Sequence, residues 1–107
     1  MDADVLTFIK SCVKRRRIRW TYHINMRLRG RFIPRETVLS SVEAYEIIEE
    51  YPKDKYLPSY LIYAEYRADV VHILIAVDSV NDVVTIITAY RPDREEWERD
   101  LRTRRQR

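Results

Sequence analysis

Residues 70–90 read VVHILIAVDSVNDVVTIITAY, and this stretch decides the fold. Val70 to Val77 is almost wholly apolar, which predicts a central strand covered on both faces. Ser79 to Asp82 has the composition of a turn, and Val83 to Tyr90 is a second strand rich in β-branched residues. Because consecutive strands joined by a short link pair antiparallel, the stretch predicts a hairpin within an antiparallel sheet.

Alternation along this hairpin determines which polar side chains share a face. His72, Leu74 and Ala76 fall on one face of the first strand. Opposed residues of a hairpin point to the same face, so an odd loop places Tyr90 opposite His72, with Thr88 beside them. An even loop separates His72 from Tyr90 unless a β-bulge intervenes. A shared face for these polar residues is therefore a specific prediction that depends on the loop.

The flanking sequence predicts helices before the strands and one after them. Apolar residues at helical spacing give an amphipathic helix over about residues 3 to 15, with Cys12 packed on its apolar side. Acidic residues from Asp93 followed by arginines predict a C-terminal helix. The other predicted elements are a short strand at 18–22, a helix from His23 to about Gly30, a helix from Pro34 to about Ala44, and strands at 46–51 and 60–66. We therefore predict an α+β fold, with a single antiparallel sheet of about four to five strands and N-terminal and C-terminal helices packed on it.

Composition restricts the class of protein. The 107 residues predict a single domain over 1–107, and 46% hydrophobic residues suffice for a core. Cys12 is the lone cysteine and excludes an internal disulfide. The chain opens with acidic residues and has no apolar run of membrane-spanning length, so we expect a cytoplasmic protein without a membrane partner. Residues from about 103 to 107 have the composition of a disordered basic tail.

The distribution of arginine suggests a polyanionic partner. Arginine outnumbers lysine by sixteen to four, and the arginines are clustered along the chain. The planar guanidinium suits phosphate oxygens, so a segregated arginine surface favours nucleic acid, whereas exposed salt bridges are the alternative. The N-terminal candidates for contacts with an RNA backbone are Arg15, Arg16, Arg17, Arg19 and Arg29.

A row of side chains at helical spacing is the clearest candidate for chemistry. His23, Arg27 and Arg31 are four residues apart, so a helix places them along one side. The row combines a group that titrates near neutral pH with two permanent cations. The chain has no metal-ligand spacing, no glycine-rich phosphate loop and no serine nucleophile elbow, so we expect no metal and no cofactor.

These residue types suit metal-free cleavage of RNA, whose 2′-OH is the nucleophile. Such a reaction needs a base, an acid and positive charge at phosphorus. His23 or His72 could serve as base or acid, Arg27 and Arg31 could hold the phosphate, and Tyr90 could act as a second acid or an orienting donor. Structural alternatives stand beside these roles: His23 could cap or pack at a helix start, and His72 could be a satisfied core histidine.

The pattern also resembles a small prokaryotic family of domains of unknown function. Its members read T-x-H-x3-R-x3-R-x-I, as in the stretch from Thr21 to Ile33, although Phe32 stands where members commonly have glycine. They also carry a histidine inside an apolar strand and a segment similar to residues 87–93, followed by a tryptophan, as at Trp97.

This resemblance implies a fold like that of the RelE and ParE toxins. It implies a type II toxin that cleaves mRNA, whether free or on the ribosome, and a cognate antitoxin of the YgiT/MqsA zinc-finger type. A ParE-like module that binds RNA or protein without catalysis is the alternative. The family's polar positions correspond to His23, Arg27, Arg31, His72, Thr88 and Tyr90.

Overall fold

The structure is a computed structural model that describes residues 2–106, with side chains described from Val5 onward. In this range the chain forms three α-helices and one five-stranded sheet. The helices are α1 (Asp2–Lys14), α2 (Tyr22–Gly30) and α3 (Arg35–Ser40), and α3 is followed by a 3₁₀ turn at Val42–Ala44. The strands are β1 (Ile18–Arg19), β2 (Glu46–Tyr51), β3 (Ser59–Tyr66), β4 (Asp69–Asp78) and β5 (Val83–Tyr90).

The α+β class is confirmed, and β4 lies at the centre of the sheet order β1-β5-β4-β3-β2. Strands β2 to β5 form an antiparallel meander as predicted. The sheet is nevertheless mixed, because β1 pairs parallel to β5. β1 reaches this edge directly after α1 rather than through a hairpin, so no short turn imposes the antiparallel direction on it.

The helices cover one face of the sheet and create the core there. Buried residues of α1, α2 and α3 pack against the inward-facing residues of β3, β4 and β5. Cys12 is fully buried in this cluster, which confirms it as a packing residue, and burial raises the pKa of its thiol. The opposite face, which we call the open face, carries His72, Leu74 and Ala76 of β4.

The β4–β5 hairpin brings His72 opposite Tyr90, as the sequence allowed. Asp78 pairs with Val83, so the loop between them has an even number of residues. A bulge at Ile87 shifts the register by one residue and restores the pairing of His72 with Tyr90. The bulge is therefore what places both polar side chains on the open face.

The predicted C-terminal helix is absent, which corrects the sequence prediction. Glu96 and Trp97 bond to the Asp93 carbonyl at 3.0 Å each, so a single turn forms there. The chain then continues as turns, with an isolated bridge between Trp97 and Arg104. Helix continuation fails because Trp97 is buried and Arg104 pairs with Glu49 of β2 at 2.7 Å. Thr103–Arg105, predicted as part of a basic tail, are thus held by hydrogen bonds, and Arg107 lies outside the described residues.

Two other boundaries differ from prediction. β1 ends at Arg19 because Thr21 already caps α2, and α3 ends at Ser40 before the 3₁₀ turn. Among the helices of residues 2–106, none combines the length and apolar composition needed to cross a bilayer.

Candidate active site

The helix α2 presents the predicted row of polar side chains. Thr21 caps its first turn, accepting a hydrogen bond from the Ile24 amide at 3.1 Å. Ile24 and Leu28 anchor the opposite side in the core. His23 and Arg27 therefore face solvent, and Arg27 Nε donates to His23 Nε2 at 3.1 Å.

This contact determines the proton arrangement of a neutral His23. Because Arg27 can only donate, Nε2 of His23 must accept, and the ring proton then lies on Nδ1. Within residues 5–106, neither Arg27 nor Arg29 contacts a carboxylate, and the Arg29 guanidinium makes no hydrogen bond to another group. The exposed side of α2 is therefore rich in cationic charge that the fold does not neutralise.

Arg31 connects α2 to the open face of the sheet. It follows the last helical residue and is half-buried. Its Nη1 donates to the Ala89 carbonyl at 2.7 Å and to Thr88 Oγ1 at 3.3 Å. Arg31 thereby joins the α2 row to strand β5, and part of its hydrogen-bonding capacity is used in doing so.

His72 is brought to Tyr90 but is fully buried. Its Nε2 lies 2.6 Å from the Leu101 carbonyl, and its Nδ1 lies 3.3 Å from the Tyr90 hydroxyl. A carbonyl can only accept, so Nε2 donates to Leu101 and Nδ1 of the neutral ring accepts from Tyr90. The Trp97 ring packs edge-on against the imidazole with centroids 4.5 Å apart.

Burial determines the protonation of this pair. It lowers the pKa of His72, against the opposing effect of the hydrogen bond to Leu101. It raises the pKa of Tyr90, although the charge of Arg104 acts in the opposite direction. His72 is thus held neutral and Tyr90 protonated, an arrangement that positions the tyrosine and gives a substrate no direct contact with the imidazole.

Tyr90 and Thr88 line a cavity on the open face beside Arg31. The cavity has a volume of about 350 Å³ and is apolar at its base, where Leu61 and Leu74 lie. At its rim, Arg104 binds Glu49 at 2.7 Å and stacks over Trp97 at 4.6 Å. Burial alone would raise the pKa of Glu49, but hydrogen bonds from Arg104 and Tyr51 lower it overall. The remaining lining residues are Tyr51, Asp54 and Ser59.

The N-terminal arginines are mostly engaged within the fold. Arg15 binds both carboxylate oxygens of Asp82 at 2.8 and 2.9 Å, and Arg17 donates to the Asp82 carbonyl at 3.0 Å. Arg19 pairs with Asp78 at 3.0 Å. Arg16 donates to backbone carbonyls of α1. The contacts of Arg15 and Arg17 tie the end of α1 to the β4–β5 loop. The ion pairs of Arg15 and Arg19 favour the salt-bridge interpretation for this block.

Sequence reasoning missed Arg104, Tyr51 and the Leu101 carbonyl as parts of this site. They lie far from His72 and Tyr90 along the chain. The predicted C-terminal helix placed the arginines in its last turn and not beside β2. The acidic side chains of β2, Glu46 and Glu49, were the available signal, since they offer partners for Arg102 and Arg104.

No group of three or more histidine, cysteine, aspartate or glutamate side chains in the described part of the chain is placed to share a metal ion. Comparison with curated proteins finds no match, and the same holds for solved structures. The family described as "Domain of unknown function (DUF4258)" matches residues 20–91, a range that includes α2, α3 and the strands β2 to β5 but not β1. The chain therefore belongs to the DUF4258 family.

Proposed function

We propose that this protein is a metal-independent endoribonuclease whose active site is the α2 row together with the Thr88–Tyr90 end of β5. The observation that carries the proposal is the exposed contact between His23 and Arg27, which lacks any carboxylate partner among the described residues. A titratable group beside an unneutralised guanidinium is suited to a phosphodiester, since one can move a proton and the other can stabilise charge.

The proposed roles follow from the hydrogen bonds. Arg27 would move from His23 Nε2 to a phosphate oxygen, and this would free Nε2 to accept the proton of the RNA 2′-OH. The 2′-oxygen would then attack phosphorus, and the bond to the 5′-oxygen would break as that oxygen takes a proton from solvent water. The products would be a 2′,3′-cyclic phosphate and a 5′-hydroxyl end. Arg31 would contribute charge beside Thr88, and Tyr90 would hydrogen-bond the substrate. His72 is assigned to positioning Tyr90, because the imidazole is buried.

The test uses a single-stranded RNA labelled at its 5′ end, in excess EDTA. We expect cleavage that leaves cyclic phosphate ends and no cleavage of the same sequence with 2′-deoxyribose. His23→Ala and Arg27→Ala should each slow cleavage by about 100-fold or more. Arg99→Ala is the matched control, an exposed arginine of the C-terminal segment that makes no contact with these residues. Cleavage of the deoxy substrate, or full activity without His23 and Arg27, would contradict the proposal.

A biological role as the toxin of a type II toxin–antitoxin pair is part of the proposal. It is supported by the resemblance in the α2 motif. Induced expression should then arrest growth, and co-expression of a cognate antitoxin, such as a YgiT/MqsA-type zinc-finger protein, should relieve it. Growth arrest that persists in the His23→Ala, Arg27→Ala double variant would separate toxicity from the proposed site.

A non-catalytic RNA- or protein-binding module of ParE-like fold is the second candidate. The burial of His72 favours it, because it leaves His23 as the exposed histidine and removes one of two expected proton-transfer groups. In that case RNA would remain intact while its affinity falls steeply with salt, or a protein target would be bound without RNA selectivity.

A further inference from the structure

The outer side of α2 carries apolar side chains that the fold does not bury. Tyr22 is 80% exposed at the start of the helix, and Phe32 is 85% exposed just after its end. Met26, one turn beyond Tyr22, is 46% exposed. Residues four apart share a row on a helix, so Tyr22, Met26 and Gly30 form an outer row next to the row that contains Arg27.

Phe32 occupies a conformation that favours glycine. Its φ is 54°, in the left-handed region, where a side chain costs about 1–2 kcal/mol. The conformation belongs to a helix-ending motif in which the Phe32 amide bonds to Arg29 O and the Ile33 amide bonds to Leu28 O. The turn requires a left-handed residue at this position, but the exposed phenyl ring of Phe32 adds no packing that would stabilise it.

The backbone around Phe32 is held rigidly. Arg91 donates to the Arg31 carbonyl at 2.8 Å and to the Phe32 carbonyl at 3.2 Å. Asp69 fixes the same guanidinium with two hydrogen bonds of 2.8 and 2.9 Å. The aromatic ring is therefore presented to solvent from a fixed position, although it contributes little to packing.

From this arrangement we infer that Tyr22 and Phe32 are stacking platforms for unpaired bases of single-stranded RNA whose backbone lies along Arg27 and Arg29. Exposed aromatic rings beside cations are the features by which proteins hold single strands, since rings stack on bases and cations follow the phosphates. The charge of this surface favours RNA as its partner, because Arg27 and Arg29 have no carboxylate partner in the described residues and can bind the anionic phosphates. The inference rests on the proposed function in taking RNA as the substrate.

The geometry sets the extent of the contact. The nine residues of α2 span about 13 Å at 1.5 Å per residue. Stacked nucleotides rise about 3.4 Å each, so the platforms bracket roughly four nucleotides. Base-paired RNA keeps its bases inside the helix and cannot stack on either ring, so a duplex should bind more weakly.

The experiment measures equilibrium binding of a fluorescent six-nucleotide single-stranded RNA. The protein carries His23→Ala so that binding is separated from cleavage. Tyr22→Ala and Phe32→Gly should each weaken binding by about 5- to 100-fold, and Tyr22→Phe should restore it, because phenylalanine stacks equally well. Tyr56→Ala is the control, since Tyr56 is also 85% exposed but belongs to the β2–β3 connection.

The outcomes distinguish the two proposals. RNA bound equally by the parent, Tyr22→Ala and Phe32→Gly proteins would overturn the stacking inference and leave the endoribonuclease proposal standing. Duplex bound as tightly as single strand would also overturn it. Absence of RNA binding by the parent would overturn both, and would favour a protein partner for this surface. Unfolding curves exclude misfolding as a cause, since Phe32→Gly relieves backbone strain and should not lower stability.

Discussion

Replacing Gly30 with alanine should stabilise the protein. Gly30 is the only glycine of the chain and is the last residue of α2. Its φ is not positive, so no turn requires its conformational freedom. A Cβ built there meets nothing within 4 Å, so the added methyl group causes no clash. The fold therefore gives no reason for glycine at this position.

The magnitude follows from helix propensity. Glycine is about 0.8–1 kcal/mol less favourable than alanine inside a helix, and somewhat less at a terminal turn. We therefore expect Gly30→Ala to raise the free energy of unfolding by about 0.5–1 kcal/mol. For a domain of this size, each kcal/mol corresponds to about 4–8 °C in melting temperature. Gly30→Ser should lie between the wild type and the alanine variant, because serine has intermediate propensity.

The assay is urea unfolding followed by far-ultraviolet circular dichroism. The midpoint should increase in the order glycine, serine, alanine, while the slope of free energy against urea stays constant. A lower midpoint for Gly30→Ala would refute the reasoning, since it would mean that the backbone or its surroundings require glycine. The same variants measured for RNA binding would show whether the open outer row of α2 is kept for close approach of a ligand.

Two further predictions concern the buried histidine and the segment that covers it. Burial lowers the pKa of His72 below its value in the unfolded chain, so the unfolded state takes up the proton first and stability falls as the pH drops from about 7.5 towards 5. His72→Gln should flatten the stability profile in that window, measured as the urea midpoint at each pH; an unchanged slope would contradict the assigned burial effect. Trp97→Ala should lower the free energy of unfolding by about 3 kcal/mol, since Trp97 is 2% exposed and packs on His72. Trp97→Phe should lower it by less, because the phenyl ring fills part of the same space. A loss below about 1 kcal/mol in urea unfolding would show that the C-terminal segment is not part of the cooperative core.

Much of the sheet was predictable because the signals of a strand, an apolar run or an alternation of apolar and polar residues, lie within a few consecutive residues. The apolar run Val70–Val77 gave β4, and its position in the hairpin gave the face of His72. The pairing with Tyr90 depended on the bulge at Ile87, which local propensity does not indicate. The sequence therefore offered two registers, and packing of both sheet faces selected one.

The α2 row was likewise a local property. Thr21, Ile24 and Leu28 define the cap and the buried side of this helix, and they place His23 and Arg27 on the outside. The end of the helix was less predictable. Gly30 suggested the stop, but the left-handed residue is Phe32, which is held by hydrogen bonds and by Arg91 from beyond β5.

By itself, the sequence determined the α+β class, the strands of the meander and the solvent-facing row of α2, because each follows from the spacing of apolar residues over a few turns or a few alternations. Only the tertiary structure decided the course of residues 91–106. The capping residue and the charge distribution there favour a helix only weakly. Burial of Trp97 and the ion pairs of Arg102 and Arg104 with β2 stabilise the observed turns more strongly. The same contacts enclosed His72, so long-range packing decided which of the two histidines faces solvent.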